Sequence, residues 1–238
     1  MPRPDLVHYL PILTTLICVA FVAALVRRAV PRGWPPHLLW WGIGVSAYGL
    51  GTAIESTITV FGNTAELTRW WYWAGAILGG YPLATGTVYL LVKRRLANWL
   101  TALSLSLVVF ASVAVFLTPL DAGAVEPHRP SGAVLGWTWI RLLTPFINGY
   151  AALFLVGGAL YSSLYFIRSR TNPNRAAGTA LIALGGLLPG VGGGMAKAGI
   201  VEALYIGEFV GIILIWIGNE FCIRKPAARA EVGADSAG

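Results

Sequence analysis

The chain has 238 residues, of which 56% are hydrophobic and 11% charged, with a mean hydropathy of +0.69 and a formal charge of +7. Soluble domains carry about 25% charged residues, so this composition excludes an ordinary soluble fold and leaves no length for a separate catalytic domain. The basic residues sit in short loops between apolar stretches, where they set membrane orientation, and nucleic-acid binding is not expected.

About 20 consecutive apolar residues cross a bilayer core. Seven such stretches follow one another: Leu6–Val26, Leu38–Phe61, Trp70–Val92, Trp99–Leu117, Leu142–Ile167, Ala176–Ala198 and Ala203–Ile223. They predict an all-α polytopic membrane protein, a single seven-transmembrane-helix bundle over residues 1–223. The small, polar residues 224–238 read as a short disordered cytoplasmic tail. The first stretch reads as a retained span, because Arg27-Arg28 stands where a signal peptide would place a small-residue cleavage site.

Basic clusters follow every second span. They are Arg27, Arg28 and Arg32 after the first, Lys93, Arg94 and Arg95 after the third, Arg168, Arg170 and Arg175 after the fifth, and Arg224, Lys225 and Arg229 after the seventh. The positive-inside rule then places the N-terminus outside and the C-terminus in the cytoplasm, in a plasma membrane. Trp40-Trp41 and Trp70-Trp71-Tyr72-Trp73 read as aromatic belts at the two interfaces. The longest loop, Thr118–Arg141, is expected outside.

A charged side chain inside a membrane bundle costs about 2.5–3.5 kcal/mol on insertion scales, so each one needs an account. In the second span, Tyr48, Thr52, Glu55 and Thr59 recur at helical spacing and form one polar stripe. His8, Pro11, Thr15 and Cys18 share a face of the first span, and Tyr205 and Glu208 share one in the last. Arg69, Arg141 and Lys197 fall at a similar outer depth and are expected within pairing reach of the two glutamates. The ordinary alternatives are carboxyls that bridge helices and cations that reach headgroups. Together these residues predict an outward-facing ligand-binding site of Glu55, Arg69, Tyr72, Trp73, Arg141, Asn148, Lys197, Tyr205 and Glu208 for a small molecule or lipid.

The sixth span holds Pro189 among Gly185, Gly186, Gly190, Gly192, Gly193 and Gly194. A proline and several glycines weaken a helix, by about 3 and 1 kcal/mol per residue, so a kink or local unwinding is expected between Gly185 and Gly194. Close helix packing is the alternative, for which Gly75-xxx-Gly79 and Gly207-xxx-Gly211 also qualify.

No cofactor or metal is expected. His8, His37 and His128 lie at span ends or in a loop and offer no bis-histidine haem site. Cys18 and Cys222 form no CxxC pair, and Lys197 stands near the end of span six, not mid-span in the last helix as a retinal lysine would. Beyond the lipid bilayer and a small ligand, a homo-oligomer or membrane-complex partner is the further partner class. Transport or permeation is the leading expectation. A lipid- or isoprenoid-directed membrane enzyme with Glu55 and Glu208 as acid and base, and a sensory or accessory subunit, are the other two.

The orientation is tested by single-cysteine labelling in a background lacking Cys18 and Cys222. An impermeant thiol reagent applied to intact cells modifies Ser131→Cys and leaves Ser169→Cys untouched; the reverse pattern inverts the topology.

Overall fold

The computed structural model describes residues 6–127 and 129–224, with the backbone but not the side chain of Lys197. The predicted tail from 225 onward and His128 therefore lie outside the described residues. Among those described, the fold is all-α, with seven long helical segments: α1 (Leu6–Arg32), α2 (Pro36–Phe61), α3 (Ala65–Leu91), α4 (Arg94–Leu117), α5 (Ile140–Ser169), α6 (Pro173–Lys197) and α7 (Glu202–Ile223). All but α2 are long and apolar enough to cross a membrane. α2 falls short because Glu55, the glycines and its tryptophans dilute its apolar residues, although 26 residues span about 39 Å. Large apolar side chains such as Leu103, Leu117, Phe146 and Leu153 are exposed around the outside, as lipid-facing surface requires and a soluble fold does not tolerate. The chain is a multi-pass helical membrane protein.

Local chemistry sets the element boundaries. α1 ends at Gly33, whose left-handed φ of +65° caps it, and α2 restarts after Pro35 with Pro36 in its first turn. Gly62 (φ +91°) closes α2, and the Thr64 hydroxyl accepts from the Leu67 N–H to open α3. That cap moves the start of the third helix to Ala65, ahead of the predicted Trp70. The four aromatics therefore lie one to two turns inside the helix and do not form the expected belt: Trp71, Tyr72 and Trp73 all make hydrogen bonds to other helices or segments, and only Trp70 is exposed.

Two large apolar cores result, with a small third cluster of Ile54, Ile58 and Ala74 between α2 and α3. The larger joins Phe21 and Leu25 of α1, Val45 of α2, Leu83 of α3, and Ile212 and Ile215 of α7. The second joins Tyr72, Ile77 and Tyr81 of α3 to Val108 and Val115 of α4, with Ile140 and Ile147 of α5. The long loop folds onto this second core. Its Val134 and Leu135 are buried, Asp121 and Val134 are joined by a backbone hydrogen bond, and Arg69 Nη2 donates to the Thr118 carbonyl at 2.9 Å.

The expected break in the sixth span is absent. α6 is helical from Pro173 to Lys197, through Pro189 and all its glycines. The reason is α7, which runs antiparallel at backbone contact. Gly178, Gly185 and Gly192, seven residues apart, form one face of α6. A Cβ placed on them would fall 2.6 Å from the Gly218 oxygen, 2.5 Å from the Gly211 oxygen and 2.5 Å from the Ala203 oxygen. The Gly185 carbonyl, which Pro189 cannot satisfy because it has no N–H, lies against Gly211 of α7, where an α-carbon hydrogen can approach it. The glycines are thus a packing surface.

The interruption lies in α3. Tyr72–Ile77 form a π-helical turn, with the Leu78 N–H reaching the Trp73 carbonyl at 3.0 Å. A bend over 78–80 follows, and the helix restarts at Tyr81. Gly79-Gly80 hold a helix weakly, and Pro82 cannot donate to the Leu78 carbonyl, so the ladder breaks there. α5 carries a second π-turn over Ala152–Gly157.

Gly185→Ala separates α6 from α7 and costs about 1–3 kcal/mol by overpacking. Gly190→Ala, where a Cβ meets nothing within 4 Å, is neutral or stabilising by up to about 1 kcal/mol. Heat unfolding of the two variants in detergent distinguishes a glycine packing face from a flexible segment.

Candidate functional site

The polar stripes of α1 and α2 meet along their length. The Thr59 hydroxyl donates to the His8 carbonyl (3.1 Å), the Thr15 and Thr52 hydroxyls share a 2.9 Å hydrogen bond, and Cys18 packs against Gly49. The two hydrogen bonds let polar groups of one helix satisfy the other where water is scarce. Thr52 and Glu55 are almost wholly buried, at 2% and 1% exposure.

α7 closes this strip. The Tyr48 hydroxyl donates to the Glu208 backbone carbonyl at 3.0 Å, and the Tyr205 ring sets its edge against His8 at 5.5 Å between centroids. These contacts bring the Glu55 and Glu208 side chains next to each other. Trp71 of α3 completes the site, its indole N–H donating to Glu55 Oε1 at 2.7 Å. Oε2 of both glutamates is enclosed, and among the described residues no N–H or O–H donor reaches it.

The helix ends explain why these groups coincide. Glu55 lies six residues before the end of α2, Trp71 six after the start of α3, and Glu208 six after the start of α7. At 1.5 Å per residue, all three sit about 9 Å below their helix ends. An ionised carboxylate only accepts hydrogen bonds, so a bond across the pair requires one proton. The arrangement sets two buried carboxyls side by side, with an indole donor on one of them and two phenols nearby.

The nominated residues divide between this centre and its surroundings. Glu55, Tyr205 and Glu208 come together. Tyr72 and Trp73 turn away into the second core, where the Tyr72 hydroxyl meets the Thr144 hydroxyl at 2.6 Å and Trp73 Nε1 donates to Ser112 Oγ at 3.0 Å. Arg69 pairs with Glu66 at 3.4 Å and holds the outer loop through Thr118. Arg141 and Asn148 are exposed on α5. Lys197 closes α6, and its side chain is outside the description. Among the described residues neither carboxyl has a cationic partner, so of the expected partners Arg69, Arg141 and Lys197 the first two do not pair with them, and the third has no described side chain. Tyr48, Thr15 and Thr52 of the polar stripes and Trp71 of the expected belt also take part, although the predicted site does not include them. The Thr64 cap was the available signal for Trp71, because it fixes the depth of every residue in α3.

A comparison of the chain with protein-family models, curated proteins and solved structures finds none that matches. The site's chemistry therefore rests on its geometry.

Trp71→Phe removes the indole donor to Glu55 and costs about 1.5–3 kcal/mol, the range for a hydrogen bond to a charged group. Glu55→Gln, whose amide can donate to Glu208, costs less. In the Glu55→Ala background the Trp71→Phe penalty shrinks by about 0.5–3 kcal/mol, the coupling of directly bonded neighbours. Unfolding midpoints of the four proteins in detergent measure the cycle, and additive penalties would mean the bond contributes nothing.

Proposed function

We propose that the protein crosses a plasma membrane seven times, N-terminus outside and C-terminus cytoplasmic, and that the Glu55–Glu208 pair is an outward-side site for a proton and a small ligand, used in transport or permeation. α2 counts as the seventh span on this reading. Its 26 residues suffice to cross, and its one charged side chain, Glu55, is turned inward onto α3 and α7. The basic loops after α1, α3, α5 and α7 support the orientation.

The observation that supports a transport role best is the acid pair beside an interrupted helix. Intramembrane carboxyls that exchange a proton serve ion and solute pathways. Discontinuous helices expose the backbone groups that transporters use, and π-turns recur at functional positions. Trp71, the donor to Glu55, immediately precedes the π-turn of α3. Any shift of register in that turn withdraws the indole and changes what the pair can bind. The support for transport thus moves from α6, which is continuous, to α3.

A second reading has one observation in its favour. Two carboxyls that share a proton are also the constellation for acid–base catalysis on a lipid or isoprenoid. Product formation in detergent, without any gradient, separates it from transport.

Proteoliposomes with an entrapped pH-sensitive dye and an imposed membrane potential test the transport reading. Small solutes of different classes, added in turn outside, are expected to include one that drives proton entry. Glu55→Gln and Glu208→Gln each lower that flux at least about tenfold, equivalent to about 1.4 kcal/mol, with near-normal expression. If both variants lose abundance and folding in parallel and no solute moves protons, the pair is structural.

A further inference from the structure

At the end of the bundle opposite the acid pair, a groove of about 820 Å³ runs between α1 and α7. Its walls are apolar, with Ile17, Ala20 and Ala24 on α1 and Ile213, Trp216 and Ile217 on α7. Phe21 and Trp216 stack at 5.2 Å with 6° between their planes, which fixes the two helices around the groove. The mouth is charged. Arg27, Arg28 and Arg224 stand there with a single carboxylate, Glu220, so positive charge is in excess.

Among the described residues each guanidinium is tethered at one point, leaving most of its five N–H donors without a partner there. Arg28 Nη2 donates to Asn219 Oδ1 at 3.0 Å, and Asn219 is itself buried with its Nδ2 unpartnered. Arg27 Nε reaches the Ala23 carbonyl at 3.4 Å, and Arg224 lies over the Phe221 ring at 4.7 Å. Guanidiniums held in this way match phosphate oxygens, which they bind through paired N–H groups. From Arg28 the groove extends to Ile17, about 16 Å along the helix, into the apolar half of the bundle. A soluble anion has no use for such walls; an acyl chain does.

We propose that this groove is a seat for an anionic phospholipid, its phosphate against Arg27, Arg28 and Arg224 and one acyl chain along the walls between α1 and α7. Basic clefts between membrane helices are suited to anionic headgroups in this way. The seat lies at the other end of the molecule from the acid pair and does not depend on what that pair does.

The full chain, purified in detergent and stripped of lipid, is titrated with phosphatidylglycerol or with phosphatidylcholine of the same acyl chains and read by native mass spectrometry. One phosphatidylglycerol is expected to bind at least about tenfold more tightly than phosphatidylcholine. Arg27 and Arg224 are exposed, so Arg27→Gln with Arg224→Gln spares the core, and it reduces that preference by about tenfold or more, as two cations near a headgroup imply. Ala24→Trp, or Ile217→Trp from the other wall, fills the groove and abolishes the tight binding with all three arginines in place. Arg168→Gln with Arg170→Gln, at the end of α5, leaves binding unchanged. The proposal fails if the two lipids bind equally, if the Arg27/Arg224 variant keeps the preference, or if both wall variants retain it. It fails equally if the α5 variant lowers binding as much, or if the stripped protein forms a dimer that the wall variants dissolve, which would make a second copy the occupant.

Discussion

Hydrocarbon offers no hydrogen bonds, so a polar group placed inside the bundle must be satisfied by the protein itself. The carboxyl of Glu55 is the severest instance, and α1, α2, α3 and α7 are arranged around the answer to it. Trp71 supplies one donor and Glu208 the other partner, while Tyr48 and Thr52 draw α7 and α1 onto α2. The two acids lie at the same depth, and among the described residues no cation pairs with either. The nearby arginines are thereby free for other work, and Arg69 fastens the outer loop.

The bundle combines a stiff pair with a yielding one. α6 and α7 touch through backbone along their whole length, which leaves no slack for either to bend alone. α3 and α5 each contain a π-turn, and that of α3 follows directly on Trp71, the donor to Glu55, and leads into the bend. Side-chain packing in the second core, through Tyr72 and Trp73, couples that bend to α4, α5 and the outer loop. Rigidity and compliance thus sit on opposite flanks of the same site.

Much of this architecture was legible in the sequence. Hydropathy marked all seven helices near their observed ends, and helical spacing identified the polar stripes of α1 and α2 that meet. Glu55 and Glu208 stood out because carboxyls are costly in lipid. What the sequence did not reveal was adjacency. Nothing in the local pattern says that α7 lies beside α1 and α2, so the two acids were matched with cations of similar depth and not with each other. For the glycines and Pro189 of α6 the sequence leaves packing and a kink both open, and the structure keeps only the packing. Propensity describes a helix alone, whereas the heptad spacing of Gly178, Gly185 and Gly192 acquires its meaning only once α7 is laid against it. In α3, the tryptophan run suggested an interface, and the Thr64 cap that placed those residues deeper was the stronger clue.

The glycine face also bears on how the chain enters the bilayer during synthesis. Alone in lipid, α6 would present a thin strip of backbone and, at Pro189, a carbonyl that no residue of its own helix can satisfy. α7 covers both, and only residues 198–201 separate the two helices. Neither is complete before the other has arrived. The natural unit of insertion at this end of the chain is therefore the α6–α7 hairpin, not two successive single helices.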